Sequence, residues 1–155
     1  MVPKLAKILL VTDFSETAGR ALPFAYAIAE SGGEVHLVHV IEHQDVPNPL
    51  YAHYSRDDLF NPENQQKAMA AVEAHLKTLI PKGAVDKKVT TKVAGVVHPS
   101  AAEGIVAEAR KRRCDAIVIG SHGRTGVVHV LMGSVAEAVI RHSTVPVLVV
   151  PLRGN

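Results

Sequence analysis

The sequence predicts a single three-layer α/β domain spanning residues 1–155, built on a mostly parallel five-stranded sheet, and three observations carry that prediction. Apolar runs at Lys7 to Val11, Glu34 to Ile41, Cys114 to Ile119 and Val145 to Val150 are too short for confident helices and suit strands buried on both faces. Segments with helical apolar spacing fall between the runs. Glycines, prolines and Ser-x-x-Glu spacings mark the joins, so strand and helix alternate as a parallel sheet requires.

Thr12-Asp13-Phe14-Ser15 ends the first strand, and Ser15 is placed to cap a helix whose face carries Ala18, Leu22, Ala25 and Ala29. Gly32 and Gly33 stop that helix, and the second strand follows at once, forming a right-handed crossover unit. The stretch 42–66 breaks the rhythm. It holds Pro47, Pro49 and Pro62 with Tyr51, Tyr54 and Phe60, and is longer than the usual connection of about 4 to 6 residues. A lid, a partner surface and a plain excursion are all consistent with it. A helix is expected from Asn64 to Leu79, on Ala68, Ala71, Val72, His75, Leu76 and Leu79. Lys88 to Ala94 alternates like a sheet edge, and Gly95 closes it. Ser100 and Glu103 are spaced as a capping box for the next helix. The last helix is expected at Ser134 to His142, with Ser134 and Glu137 spaced as a second box.

Composition narrows the function classes. The 155 residues carry 47% hydrophobic and 21% charged side chains, an ordinary balance for a globular domain rather than a disordered chain. The apolar runs are about half the roughly 20 residues of a membrane span, and the N-terminus lacks a signal-peptide core, so a cytoplasmic protein without membrane attachment is expected. A single cysteine, Cys114, forms no internal disulfide, in keeping with a reducing compartment. The net charge of +2 is too small to imply nucleic acid, and Lys111-Arg112-Arg113 suits a helix C-terminus.

Chemistry concentrates in residues 118–135. The strand ending at Ile119 delivers Gly120, Gly123 and Gly126, and Gly133-Ser134 opens a helix. Glycines permit close backbone approach and positive φ, and a helix start presents unpaired N–H groups, so the arrangement suits a phosphate. Two residues separate Gly120 from Gly123 and nine separate Gly123 from Gly133. That spacing is neither a Walker phosphate loop nor the dinucleotide fingerprint. It resembles the nucleotide-binding signature of the universal stress protein family, as do Gly133-Ser-Val-Ala-Glu137, Arg141-His142 and Pro146-Val-Leu-Val-Val150.

The resemblance implies a sheet order of 3-2-1-4-5, which brings the loops after strands 1 and 4 to one crevice at a topological switch point. It also implies a ligand, ATP or else ADP or AMP, with Mg²⁺ carried mainly by the phosphates. Matched position by position, Asp13 faces the nucleoside, Thr12 flanks it and Ile41 touches adenine. Gly120, Gly123, Arg124, Gly133, Ser134 and Val135 cradle the phosphates. Each has a plainer use: Asp13 as a turn cap, Ser134 as a helix cap, Ile41 as core, the glycines as turn residues. The family also pairs C-terminal strands in a homodimer, here residues 145–151, whose apolar edge calls for a cover.

No catalytic residue and no protein metal site is expected. His36 and His39 point to opposite faces of a strand, and His122 and His129 lack ligand-spaced companions. Asp13 and Arg124 are the polar groups near the loop that could serve phosphoryl chemistry, so slow hydrolysis is the most to expect. The leading expectation is an ATP-binding regulatory protein acting on an unidentified protein partner. A nucleotide-free dimeric interaction module and a slow adenine-nucleotide hydrolase are the alternatives.

Overall fold

The computed structural model describes residues 1–42, 48–123 and 132–152. Five parallel strands, β1 (Lys7–Val11), β2 (Glu34–Glu42), β3 (Thr90–His98), β4 (Ala116–Gly120) and β5 (Val147–Val150), form one sheet in the order β3-β2-β1-β4-β5. This is the expected order. Helices α1 (Glu16–Ile28) and α2 (Pro62–Thr78), the short α3 (Gly83–Asp86), α4 (Ala101–Arg112) and α5 (Ser134–His142) fill the connections.

Strand alternation divides the core. Ile8, Leu10, Val35, Leu37, Ile41 and Val118 face one way, against Ala21 and Ala25 of α1 and Ala68 and Val72 of α2. Leu9, Val11, Val38, Val40, Ile117 and Ile119 face the other way, against Ile105 and Ala109 of α4 and Ala136 and Val139 of α5. Central strands buried on both faces have no polar side to show, which is why their sequences read as unbroken apolar runs.

Several boundaries move. Pro62 is the first residue of α2 rather than a breaker, because a missing N–H costs nothing at a helix start, and Asn61 caps it by accepting the Glu63 N–H. The connection after β2 therefore ends at Asn61. β3 runs through Gly95 to His98; Gly95 is there because a Cβ would lie 3.1 Å from the Met69 Cα of α2. β4 begins at Ala116, two residues late, because Arg113 takes a left-handed φ of 55° at the end of α4 and the Cys114 N–H still bonds Ala109. Burial raises the Cys114 thiol pKa to about 11, so it is held as the neutral thiol. Asp115 accepts the Lys7 N–H at the far end of the sheet from the glycine stretch. β5 begins at Val147, and Ser143 binds both backbone groups of Val145 just before it.

The sheet's upper rim is stepped. β1 stops at Val11, opposite Val38, while β2 continues four residues further, to Glu42, paired with β3. β4 likewise passes the end of β1, reaching Gly120 opposite Val150. The two strands overhang a recess above β1.

Candidate functional site

The recess holds an open crevice of about 270 Å³. Thr12 and Asp13 arrive from β1, Gly120, Ser121, His122 and Gly123 from β4, and Gly133, Ser134 and Val135 from the start of α5. The opposite wall is Val40 and Glu42 of β2, Ala101 and Ile105 of α4, and His39, Asn48 and Tyr51.

Asp13 does two things. Its Oδ1 accepts the Ser15 N–H at 2.9 Å, shaping the turn, while Oδ2 lies 3.0 Å from where a Cβ on Gly123 would sit. The cap and the crevice carboxylate are separate oxygens of one group. Thr12 Oγ1 accepts the Phe14 N–H, and Phe14 takes a φ of 64°, a left-handed conformation costly for a bulky residue. Its ring is held against His39 and His75 at centroid distances of 4.7 and 5.0 Å. Positive φ thus belongs to Phe14 rather than to Gly120, Gly123 or Gly133.

Those three glycines serve close approach instead. A Cβ on Gly120 would lie 3.1 Å from the Ala18 nitrogen of α1, and one on Gly133 would lie 3.2 Å from the Ser121 carbonyl. Ser121 ties the loop together. Its N–H donates to Val150 O, its carbonyl accepts the Gly133 N–H, and its Oγ accepts the Leu152 N–H at 3.0 Å.

Ser134 does not cap α5. The N-cap is Gly133, which has no side chain for the role; Ser134 is exposed as the first helical residue, and Glu137 pairs with Arg141 rather than closing a box. The early N–H groups of α5 therefore have no side-chain acceptor among the described residues, and Gly133, Ser134 and Val135 at this helix start line the crevice. The Ile41 side chain is fully buried on the α1/α2 side, while Val40, of the opposite parity, lines the crevice. Arg124, Gly126 and His129 lie outside the described residues.

The far wall escaped the sequence reading. His39 Nδ1 bonds the Thr12 carbonyl at 2.7 Å, which makes it the protonated nitrogen, and Nε2 is 2.9 Å from Tyr51 Oη. Glu42 Oε1 accepts the Ala101 N–H at 2.8 Å, so a carboxylate already occupies the start of α4. His39 shares the parity of Ile41, so the alternation of β2 gave no signal for it, and Asn48 and Tyr51 lie beyond the strand. Among the described residues no group of three or more His, Cys, Asp or Glu could hold a metal ion.

A sequence model described as the universal stress protein family matches residues 4–151. The chain belongs to the universal stress protein family. Among the family's members, it is 34% identical to universal stress protein MJ0577 of Methanocaldococcus jannaschii over 168 aligned positions, covering 96% of both chains. The solved structure of MJ0577 superposes with a TM-score of 0.76 over 99% of this chain and 100% of that one, at 32% identity. More distant likenesses share the fold: a universal stress protein in complex with cAMP, with a TM-score of 0.61 over 97% of this chain and 100% of that one at 23% identity, and an Arabidopsis thaliana family protein with AMP bound, with a TM-score of 0.56 over 98% and 94% at 13%. No helix among the described residues of this universal stress protein domain is long and apolar enough to cross a membrane.

Proposed function

We propose that the crevice binds an adenine nucleotide, ATP foremost, and that the protein acts as a nucleotide-dependent regulator. The meeting of Asp13 Oδ2 with Gly123, beside a helix start lacking a side-chain cap, carries this reading. A carboxylate that accepts hydroxyl or amino protons then stands next to backbone donors suited to phosphate. That family relatives hold cAMP and AMP supports it. Gly120, Gly123, Gly133, Ser134 and Val135 would take the phosphates, with Asp13 and Thr12 on the nucleoside and Val40 rather than Ile41 as the apolar base contact. Arg124 belongs to the same proposed cradle. Mg²⁺ would ride on the phosphate oxygens, since it keeps most of its waters and asks little of a protein.

Occupancy would then bias the 120–133 loop and the surface it offers to a protein partner in the cytoplasm. The test is calorimetric titration of nucleotide-stripped protein with ATP and Mg²⁺, beside Gly123→Val. Saturable binding near one nucleotide per chain is expected in the native sequence, and loss of it in a variant that still melts cooperatively. Absence of heat and of thermal shift at millimolar ATP would overturn the reading in favour of a nucleotide-free module.

A further inference from the structure

Asn48 stands out on the crevice wall opposite the phosphate-binding side. It lies beyond β2, is only 4% exposed, and lines the crevice beside His39, Glu42 and Tyr51. Its Oδ1 accepts the Leu50 N–H at 3.0 Å, which fixes the orientation of the amide. The other end, Nδ2, is buried and has no hydrogen-bond partner among the described residues. A buried donor without an acceptor is costly, and native structures retain few of them without a reason.

We infer that Asn48 reads the ligand, donating from Nδ2 to an acceptor on its nucleoside half. The inference rests on the nucleotide reading above and extends it to the segment after β2. Charge decides which half of the ligand lies here. Glu42 puts a carboxylate on the same wall and repels phosphate, whereas the start of α5 attracts it from the other side. A nucleotide bound with its phosphates at α5 therefore turns its base and sugar towards Asn48. A donor demands an acceptor, which on a nucleoside means a ring nitrogen or a ribose oxygen. His39 has its ring nitrogens engaged with Thr12 and Tyr51, so this wall's polar side chains are already ordered before a ligand arrives.

The experiment titrates the full-length protein and two variants with ATP, adenosine, adenine and inorganic tripolyphosphate. Asn48→Ala removes the donor; Asn48→Asp keeps an oxygen for the Leu50 N–H and replaces the donor by an acceptor, so the turn survives. Melting curves of both variants establish that they are folded. Asn48→Ala is expected to weaken ATP and adenosine alike by roughly three- to tenfold, and Asn48→Asp by more, with tripolyphosphate unchanged. A loss that persists with adenine assigns the acceptor to the ring, and one confined to adenosine and ATP assigns it to the ribose. Native protein that binds ATP while the folded variants bind it equally well overturns the role of Asn48 alone, as does an equal loss with tripolyphosphate. Native protein that binds neither ATP nor adenosine overturns the nucleotide reading, and this inference with it.

Discussion

His36 lies buried between a guanidinium and a carboxylate. Arg112, which can only donate, gives a hydrogen bond to Nδ1 at 3.2 Å, so Nδ1 must accept and the proton sits on Nε2, 2.8 Å from Glu34 Oε2. Neutral imidazole satisfies both neighbours; the charged ring would turn an N–H on Arg112. Burial is the main cause of a pKa below the usual histidine value, with the Glu34 hydrogen bond opposing it and Arg112 reinforcing it. The folded chain therefore refuses a proton that the unfolded chain accepts near pH 6.5, and stability falls as pH drops below that point. Glu34, held down to about 2 chiefly by its hydrogen bonds with Lys92 and then His36, stays charged in the folded chain. It adds to the decline only towards the acid end of this window, where the unfolded carboxylate begins to protonate. Thermal midpoints measured from pH 8 to pH 5 should decline for the native chain, and less steeply for His36→Gln. Parallel curves would show that another group titrates.

At the level of elements, Gly120 and Gly123 belong to one motif but answer to different neighbours. A side chain on Gly120 presses on α1 backbone at the Ala18 nitrogen and the Thr17 carbonyl carbon, each 3.1 Å away, which cannot yield without moving the helix. Gly120→Ala should cost about 1–3 kcal/mol in urea unfolding, the usual range for overpacking. At Gly123 the obstacle is the end of the Asp13 side chain, which can swing aside, so Gly123→Val should unfold at nearly the native urea concentration while losing the ligand. These contrasts mark how far the sequence could be read. Four apolar runs and the glycine spacing were legible because a strand buried on both faces leaves no alternative pattern, and β1 and α5 fall where expected. Boundaries set by a neighbour were not: β3 crosses Gly95 because α2 presses on it, and Pro62 opens α2 because Asn61 caps it. On the site, the residues near the glycine stretch could be read from spacing, whereas Asn48 and Tyr51 reach the crevice only once the chain beyond β2 has folded back. Ile41 was named from the family match by position, whereas strand parity sets the Val40 side chain on the crevice wall.

For the whole molecule, the outer edge of β5 remains the surface to test. Leu148 is 36% exposed in the middle of that strand, and Ile140 of α5 is 44% exposed. We propose that this edge pairs with its copy in a homodimer. Light scattering at micromolar concentration should return the mass of two chains, shifting to one chain in Leu148→Lys, since a charged lysine is a common guard of open strand edges. A native monomer would refute the pairing. The stepped rim has a different kind of consequence. The overhang of β2 beyond β1 amounts to about 13 Å at the rise of an extended chain, and it is set by hydrogen-bond register, not by any loop. Depth is thus inherited from the frame while the lining stays free to vary. Evolution can rewrite the residues that choose the guest without having to rebuild the room.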